Sequence, residues 1–193
     1  VRPRLGPDLR ALLALLDQRR AAYACGLVAL AVADGGQLAT ARIVGLSIDG
    51  PREIHDHYRI TKRAEPTFDK VFAAAKMLHK HGVRFNTLTC VHRYNASKPL
   101  DVYRFLRREV GSTYIQFIPI VEIKGFENIA PGAWDTANLP IVGDPRCHPD
   151  HPESVVTPWS VAADEYGYFL CKIWDEWQSR DVGKVLINLC ETL

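Results

Sequence analysis

Between residues 41 and 121 the chain alternates between short, nearly continuous apolar runs and longer stretches in which apolar residues recur every three or four positions. The run Ile43 to Ile48 stops at Asp49-Gly50-Pro51, a strong turn signal, and predicts a strand. Thr67 to Lys80 gathers Phe68, Val71, Phe72, Ala75 and Leu78 on one face and predicts an amphipathic helix capped by Gly82. Val83 to Val91 predicts the next strand. Pro99 to Glu109 predicts the next helix, with Val102, Tyr103, Phe105 and Leu106 apolar and Gly111 past its end, and Tyr114 to Val121 predicts a third strand. This order is a run of β/α units, so the fold class is α/β. Continuous apolar strands predict a parallel sheet buried on both faces. Periodicity alone allows either a barrel or an open doubly wound sheet.

The flanks read differently. Pro7 to Tyr23 predicts a helix with a stripe of Leu9, Leu12, Leu13, Leu15 and Leu16, and Leu27 to Ala33 predicts a buried strand ended by Asp34-Gly35-Gly36. Residues 123–160 are rich in Pro, Gly, Asp and His without a period, and a loop of that length is a functional candidate. Val161 to Arg180 predicts an aromatic helix with Tyr166, Phe169, Leu170, Ile173, Trp174 and Trp177 on its apolar side. Val182 to Leu189 predicts a last strand. Two segments result: an N-terminal helix and short strand over 1–40, and the β/α region with its long loop over 41–193.

Composition adds exclusions rather than a function. Apolar residues make up 47% and charged residues 24% of 193, with a net charge of +2 and the two signs interspersed. That pattern offers no basic tail for nucleic acid and no polybasic membrane patch. Leu27 to Ala33, the longest apolar run, is too short to span a bilayer. The chain starts with Val rather than Met and shows no signal-peptide layout. The five cysteines, Cys25, Cys90, Cys147, Cys171 and Cys190, are widely spaced and read as reduced thiols of a cytoplasmic protein. None of them forms the closely spaced set that an iron–sulfur cluster needs. Cys90, Cys171 and Cys190 fall in apolar patterns and are expected in the core.

Chemistry is sought at the carboxyl ends of the strands, where β/α folds bind ligands. Those ends carry Ser47 and Asp49, then His92, Arg93 and Asn95, then Glu122. His55-Asp56-His57 is a weak metal candidate and reads as a surface loop. Cys147-His148-Pro149-Asp150-His151 holds a thiolate, two imidazoles and a carboxylate in five residues, enough in type for zinc, although its prolines argue for a solvated segment. Arg59, in a polar link after the first strand, is able to clamp a ligand carboxylate through two parallel hydrogen bonds. No glycine-rich phosphate loop and no Gly-x-Ser-x-Gly elbow is present.

Several stretches taken together resemble one family. Val44-Gly45-Leu46-Ser47-Ile48-Asp49-Gly50-Pro51, followed by His55-Asp56 and Arg59, is similar to the fourth strand and following loop of radical S-adenosylmethionine (SAM) enzymes of the anaerobic sulfatase-maturating type. Thr67-Phe68-Asp69-Lys70-Val71 and Lys80-His81-Gly82-Val83-Arg84-Phe85-Asn86 continue the likeness. Tyr114-Ile115-Gln116-Phe117-Ile118-Pro119-Ile120-Val121-Glu122 resembles the sixth strand. Trp159-Ser160-Val161, Tyr166-Gly167, Asp175-Glu176-Trp177 and Arg180-Asp181-Val182-Gly183-Lys184-Val185 complete it.

The resemblance implies the later β/α units of a partial (β/α) barrel, with the N-terminal segment packed differently from the family. It also implies a family activity: oxidation of a Cys or Ser in a sulfatase to formylglycine, with SAM and a 4Fe–4S cluster as cofactors and the sulfatase polypeptide as partner. By the same likeness Ser47 contacts the SAM ribose or amino-acid part, Arg59 its carboxylate and Ile115 its adenine. Asp49 and Gln116 face the substrate, and Glu191 is the acidic residue toward the substrate thiol or hydroxyl. The three-cysteine cluster motif of the family is absent from this sequence. The chain is therefore expected to be inactive alone, unless another chain supplies the front half. Two alternatives stand beside this: a half barrel that binds SAM or a peptide without turnover, and a zinc hydrolase built on Cys147 to His151. Open strand edges at residues 43 and 114 predict self-association.

Overall fold

A computed structural model of the protein describes residues 27–28, 44–125 and 140–190. The predicted Pro7 to Tyr23 helix, most of the Leu27 to Ala33 run, and Glu191 lie outside the described residues. The elements in chain order are β1 (Leu27–Val28), β2 (Val44–Ser47), α1 (Arg52–Tyr58), α2 (Phe68–Lys80), β3 (Phe85–Val91), α3 (Arg93–Ala96), α4 (Pro99–Arg108), β4 (Tyr114–Pro119), α5 (Ala163–Arg180) and β5 (Leu186–Ile187). Five strands form one sheet in the order β1-β2-β3-β4-β5. β2 to β5 are mutually parallel and β1 is antiparallel to β2. This is the partial α/β barrel expected. The edges at residues 43 and 114 are each met by a short strand, β1 on β2 and β5 on β4, over two residue pairs.

The sheet is buried under helices on one face and partly open on the other. Rows of register-paired residues share a face, because side chains alternate along each strand. Leu46, Thr87, Ile115 and Ile187 make one such row. That face meets the apolar stripes of the helices: Val71, Ala75 and Leu78 of α2, Val102, Phe105 and Leu106 of α4, and Phe169, Ile173 and Trp177 of α5. Phe117 packs edge-on against Phe169, ring centroids 5.2 Å apart. On the opposite face Asn86, Leu88, Cys90, Gln116 and Ile118 are only partly buried. The expectation of burial on both faces is thus corrected; this second face carries amides and a thiol and is the candidate site face.

Local chemistry explains the helix ends. α2 stops in a Schellman motif: Gly82, at φ +64°, donates to His79 and Val83 donates to Leu78. The predicted last strand shrinks to Leu186–Ile187, because Asp181 to Val185 turn on themselves, with Lys184 and Val185 donating to the Asp181 carbonyl. Cys171 is exposed on α5 and Cys90 is half-buried on the open face, so neither is the core residue expected. Their apolar neighbours belong to the opposite helix or sheet face. Among the described residues no helix is long and apolar enough to cross a membrane.

Candidate functional site

The open face ends in a polar cluster at the carboxyl ends of β2 and β3. Ser47, the last residue of β2, is register-paired with Leu88, which pairs in turn with Gln116. One row of the open face therefore holds Ser47, Leu88 and Gln116, and the next row toward the strand ends holds Cys90 and Ile118.

Asp49 lies two residues past Ser47 and is 1% exposed. Its carboxylate accepts Arg59 Nε at 2.7 Å, Arg59 Nη2 at 3.1 Å and the Cys90 backbone N–H at 2.9 Å. Arg59 Nη2 also contacts Cys90 Sγ at 3.1 Å. Nη1 takes part in none of these contacts, and the Arg59 side chain is 22% exposed. Burial pulls the guanidinium pKa down, but the hydrogen bonds and charge of Asp49 outweigh it and hold the group above its usual value. The Cys90 thiol is pushed up to about 11 by burial and by the Asp49 charge, against the opposing pull of Arg59.

α1 brings Arg59 to this place, and its existence corrects the surface-loop reading of His55-Asp56-His57. The three residues point to three different tasks. His55 is buried: its Nδ1 accepts the Asp49 N–H at 3.3 Å, and its Nε2 faces Thr67 Oγ1 at 3.1 Å. The Thr67 hydroxyl donates to the Arg59 carbonyl at 2.5 Å. With Nδ1 accepting, Nε2 carries the proton, and each donor in this chain has an acceptor. Asp56 caps α2, its Oδ1 accepting the N–H groups of Thr67 and Phe68, both at 2.9 Å. His57 stacks on Tyr94 at 3.8 Å. Residues 60–66 form a side excursion closed at its base by an Ile60–Pro66 bridge and by Thr61 donating to the Glu65 carbonyl.

β3 continues in extended geometry through His92 (φ −125°, ψ 170°), so its imidazole falls on the open face above Cys90. Asn95 holds the turn beyond it. Its side-chain oxygen accepts the His92 N–H at 2.9 Å, and its amide donates to the carbonyls of Cys90 at 2.9 Å and Asp49 at 3.3 Å. Neither ring nitrogen of His92 has a hydrogen-bond partner, and burial drives its pKa down to about 4. Glu122, the other strand-end acid, accepts Trp159 Nε1 at 2.5 Å.

The structure thus brings Ser47, Asp49, Arg59 and Gln116 to one face. It does not bring Ile115 there: the residue is 0% exposed in the row packed under the helices, which is at odds with a ligand contact. The apolar wall of the open face comes from Leu88 and Ile118, which the sequence reading missed. Strand parity was the available signal, since Gln116 and Ile115, as neighbours, occupy opposite faces.

The zinc-type cluster is dispersed. Cys147 Sγ donates to the Ile141 carbonyl at 3.8 Å, Asp150 pairs with Arg93, and His148 and His151 accept backbone N–H groups of Asp150 and Glu153 through Nδ1. Among the described residues no three His, Cys, Asp or Glu side chains group as metal ligands.

No family model matches the chain. Over 151 residues, 78% of the chain, it is 39% identical to a serine-type anaerobic sulfatase-maturating enzyme of Bacteroides thetaiotaomicron, covering 33% of that protein. It is 32% identical over 136 residues to a cysteine-type anaerobic sulfatase-maturating enzyme of Clostridium novyi, covering 70% of this chain and 29% of that one. Among solved structures, native anSMEcpe with bound AdoMet and Kp18Cys peptide superposes with a TM-score of 0.54 at 27% identity, over 76% of this chain and 34% of the other. The chain spans about a third of the length of the curated relatives it matches.

Proposed function

We propose that this chain, which belongs to the anaerobic sulfatase-maturating enzyme family, forms the later part of a radical SAM barrel and holds SAM beside a sulfatase peptide. The observation that carries the reading is the Asp49–Arg59 pair. It fixes a guanidinium on the open face at the strand ends, with Nη1 outside its internal contacts.

In this reading Arg59 binds the SAM carboxylate through Nη1 and stays in place because Asp49 occupies its Nε and Nη2. Asp49 is then a positioning residue rather than a substrate contact. Ser47 offers a hydroxyl to the ribose or amino-acid part, Leu88 and Ile118 wall the adenine, and Gln116 faces the peptide. Glu191 remains the acid toward the substrate thiol or hydroxyl. When bound, SAM supplies the radical that takes hydrogen from the β-carbon of the Cys or Ser; the chain's residues bind, orient and exclude water. The widely spaced cysteines of this chain do not fit a 4Fe–4S cluster, so the roles proposed for its own residues are binding and orientation.

Calorimetric titration with SAM tests the reading. Arg59→Lys keeps a charge for Asp49 but loses the separate nitrogen that reaches the ligand carboxylate while Asp49 is held. Loss of one charge-assisted hydrogen bond predicts about tenfold weaker binding. Equal affinity in wild type and variant, or no binding by the folded wild-type chain, overturns it.

A further inference from the structure

His92 is a strand-end group on the open face that the proposed function leaves without a task. It is 3% exposed, and both of its ring nitrogens are buried without a partner. Such an arrangement is costly in a folded protein unless water or a ligand completes it. Its neighbours are rings: Tyr58 stands edge-on at 4.6 Å, and Tyr94 lies at 6.5 Å. None of them offers the imidazole a hydrogen bond. Tyr58, the last residue of α1, is itself exposed, so the contact it makes with the imidazole lies at the surface.

Height along the strands decides which ligand that is. Ser47 and Gln116 lie in the Leu88 row, and Arg59 reaches the Cys90 row. His92 is four residues beyond Leu88, roughly 13 Å nearer the mouth at the usual rise of a strand. A ligand held by Ser47 and Arg59 occupies the lower rows. What lies above it, against His92, enters from the mouth. A neutral imidazole has one donor and one acceptor, the complement of a peptide unit's C=O and N–H.

The geometry points to His92 as a peptide-binding residue, whose imidazole hydrogen-bonds the backbone of the sulfatase segment and takes over the space above the SAM level. This inference rests on the proposed function. It adds a contact that shapes affinity for the polypeptide and leaves SAM binding alone.

The test uses the full chain, a fluorescently labelled synthetic peptide spanning the modified Cys or Ser of a sulfatase, and SAM alone as a second probe. His92→Phe removes both nitrogens without leaving a hole and gives up no existing hydrogen bond of the side chain, so the variant is expected to fold. His92→Asn keeps a donor and an acceptor. The expected result is about tenfold weaker peptide binding for His92→Phe by fluorescence anisotropy, with SAM affinity unchanged by calorimetry and peptide affinity largely restored in His92→Asn. Equal peptide affinity in wild type and His92→Phe overturns the inference. So does a loss of SAM affinity with peptide binding intact, which assigns the imidazole to the adenosyl ligand. A wild-type chain that binds neither probe overturns the underlying reading itself.

Discussion

Replacing Asp49 by Asn removes one charge and changes almost nothing in shape. The carboxylate is buried and accepts three hydrogen bonds, two of them from Arg59. Asn with its oxygen in place of Oδ1 still accepts the Cys90 N–H and Arg59 Nη2, but its NH2 group then meets Arg59 Nε, donor against donor, and the pair has lost its negative charge. Breaking a buried ion pair by removing one partner costs about 3–5 kcal/mol. Arg59 reaches solvent in part, so the lower end, about 3 kcal/mol, is expected from urea denaturation. A cycle with Arg59→Met and the double variant isolates the pair: the double variant is more stable than the sum of the single losses predicts, because no lone charge remains. A second, independent readout is the Cys90 thiol. Burial is the main cause of its high pKa and Asp49 adds to it, while Arg59 pulls the other way. In Asp49→Asn the raising charge is gone and the lowering one remains. The midpoint of the pH–rate profile for iodoacetamide alkylation at Cys90, followed by mass spectrometry, therefore moves down. A stability within about 0.5 kcal/mol of wild type together with an unmoved midpoint refutes the buried pair as the device that fixes Arg59.

Two further outcomes follow from the same region. His92 titrates near 4 when folded, against about 6.5 unfolded, so its contribution is complete above about pH 6.5 and is lost as the pH falls toward 4. The loss approaches 3 kcal/mol by order of magnitude, at about 1.4 kcal/mol per unit, and is read as the difference between wild type and His92→Phe in urea melts across that window. Burial lowers His55 as well, so a residual slope of the same sign persists in the variant. Asp56→Ala frees two backbone N–H groups at the start of α2 and is expected to cost about 1–2 kcal/mol in a thermal melt, whereas Asp56→Asn, which keeps an acceptor, costs less.

The β/α order, the parallel pairing and the helix ends at Gly82 and Gly111 were legible because each rests on a local signal: a period, a turn dipeptide, a left-handed glycine. α1 was not. It has seven residues, too few for a period to show, and its buried side chains, Ile54 and His55, are adjacent rather than spaced. Ser47 and Arg59 were visible as a strand-end residue and a clamp candidate and took their roles from the family resemblance, while the Asp49–Arg59 contact depends on a ten-residue separation closed by α1, which no periodicity encodes. Ile115 shows the opposite failure. The run Tyr114 to Pro119 carries apolar residues on both faces, and Gln116 alone marks the open side; its parity, with the register to Thr87 and Leu46, places Ile115 under the helices. His92 was visible as a strand-end residue, but its unpartnered nitrogens belong to packing alone.

The closed base of the 60–66 excursion bears on how the family's members are free to diverge. Thr67 ties the carbonyl of Arg59 to the start of α2, and the Ile60–Pro66 bridge shuts the stem just beyond it. Length added or removed at the tip, between Thr61 and Glu65, is therefore insulated from the guanidinium. Homologues are expected to differ in this tip by insertion and deletion while the residues matching Arg59 and Thr67 keep their spacing to the strands, so this segment is a natural place to graft an epitope or a reporter without disturbing the ligand face.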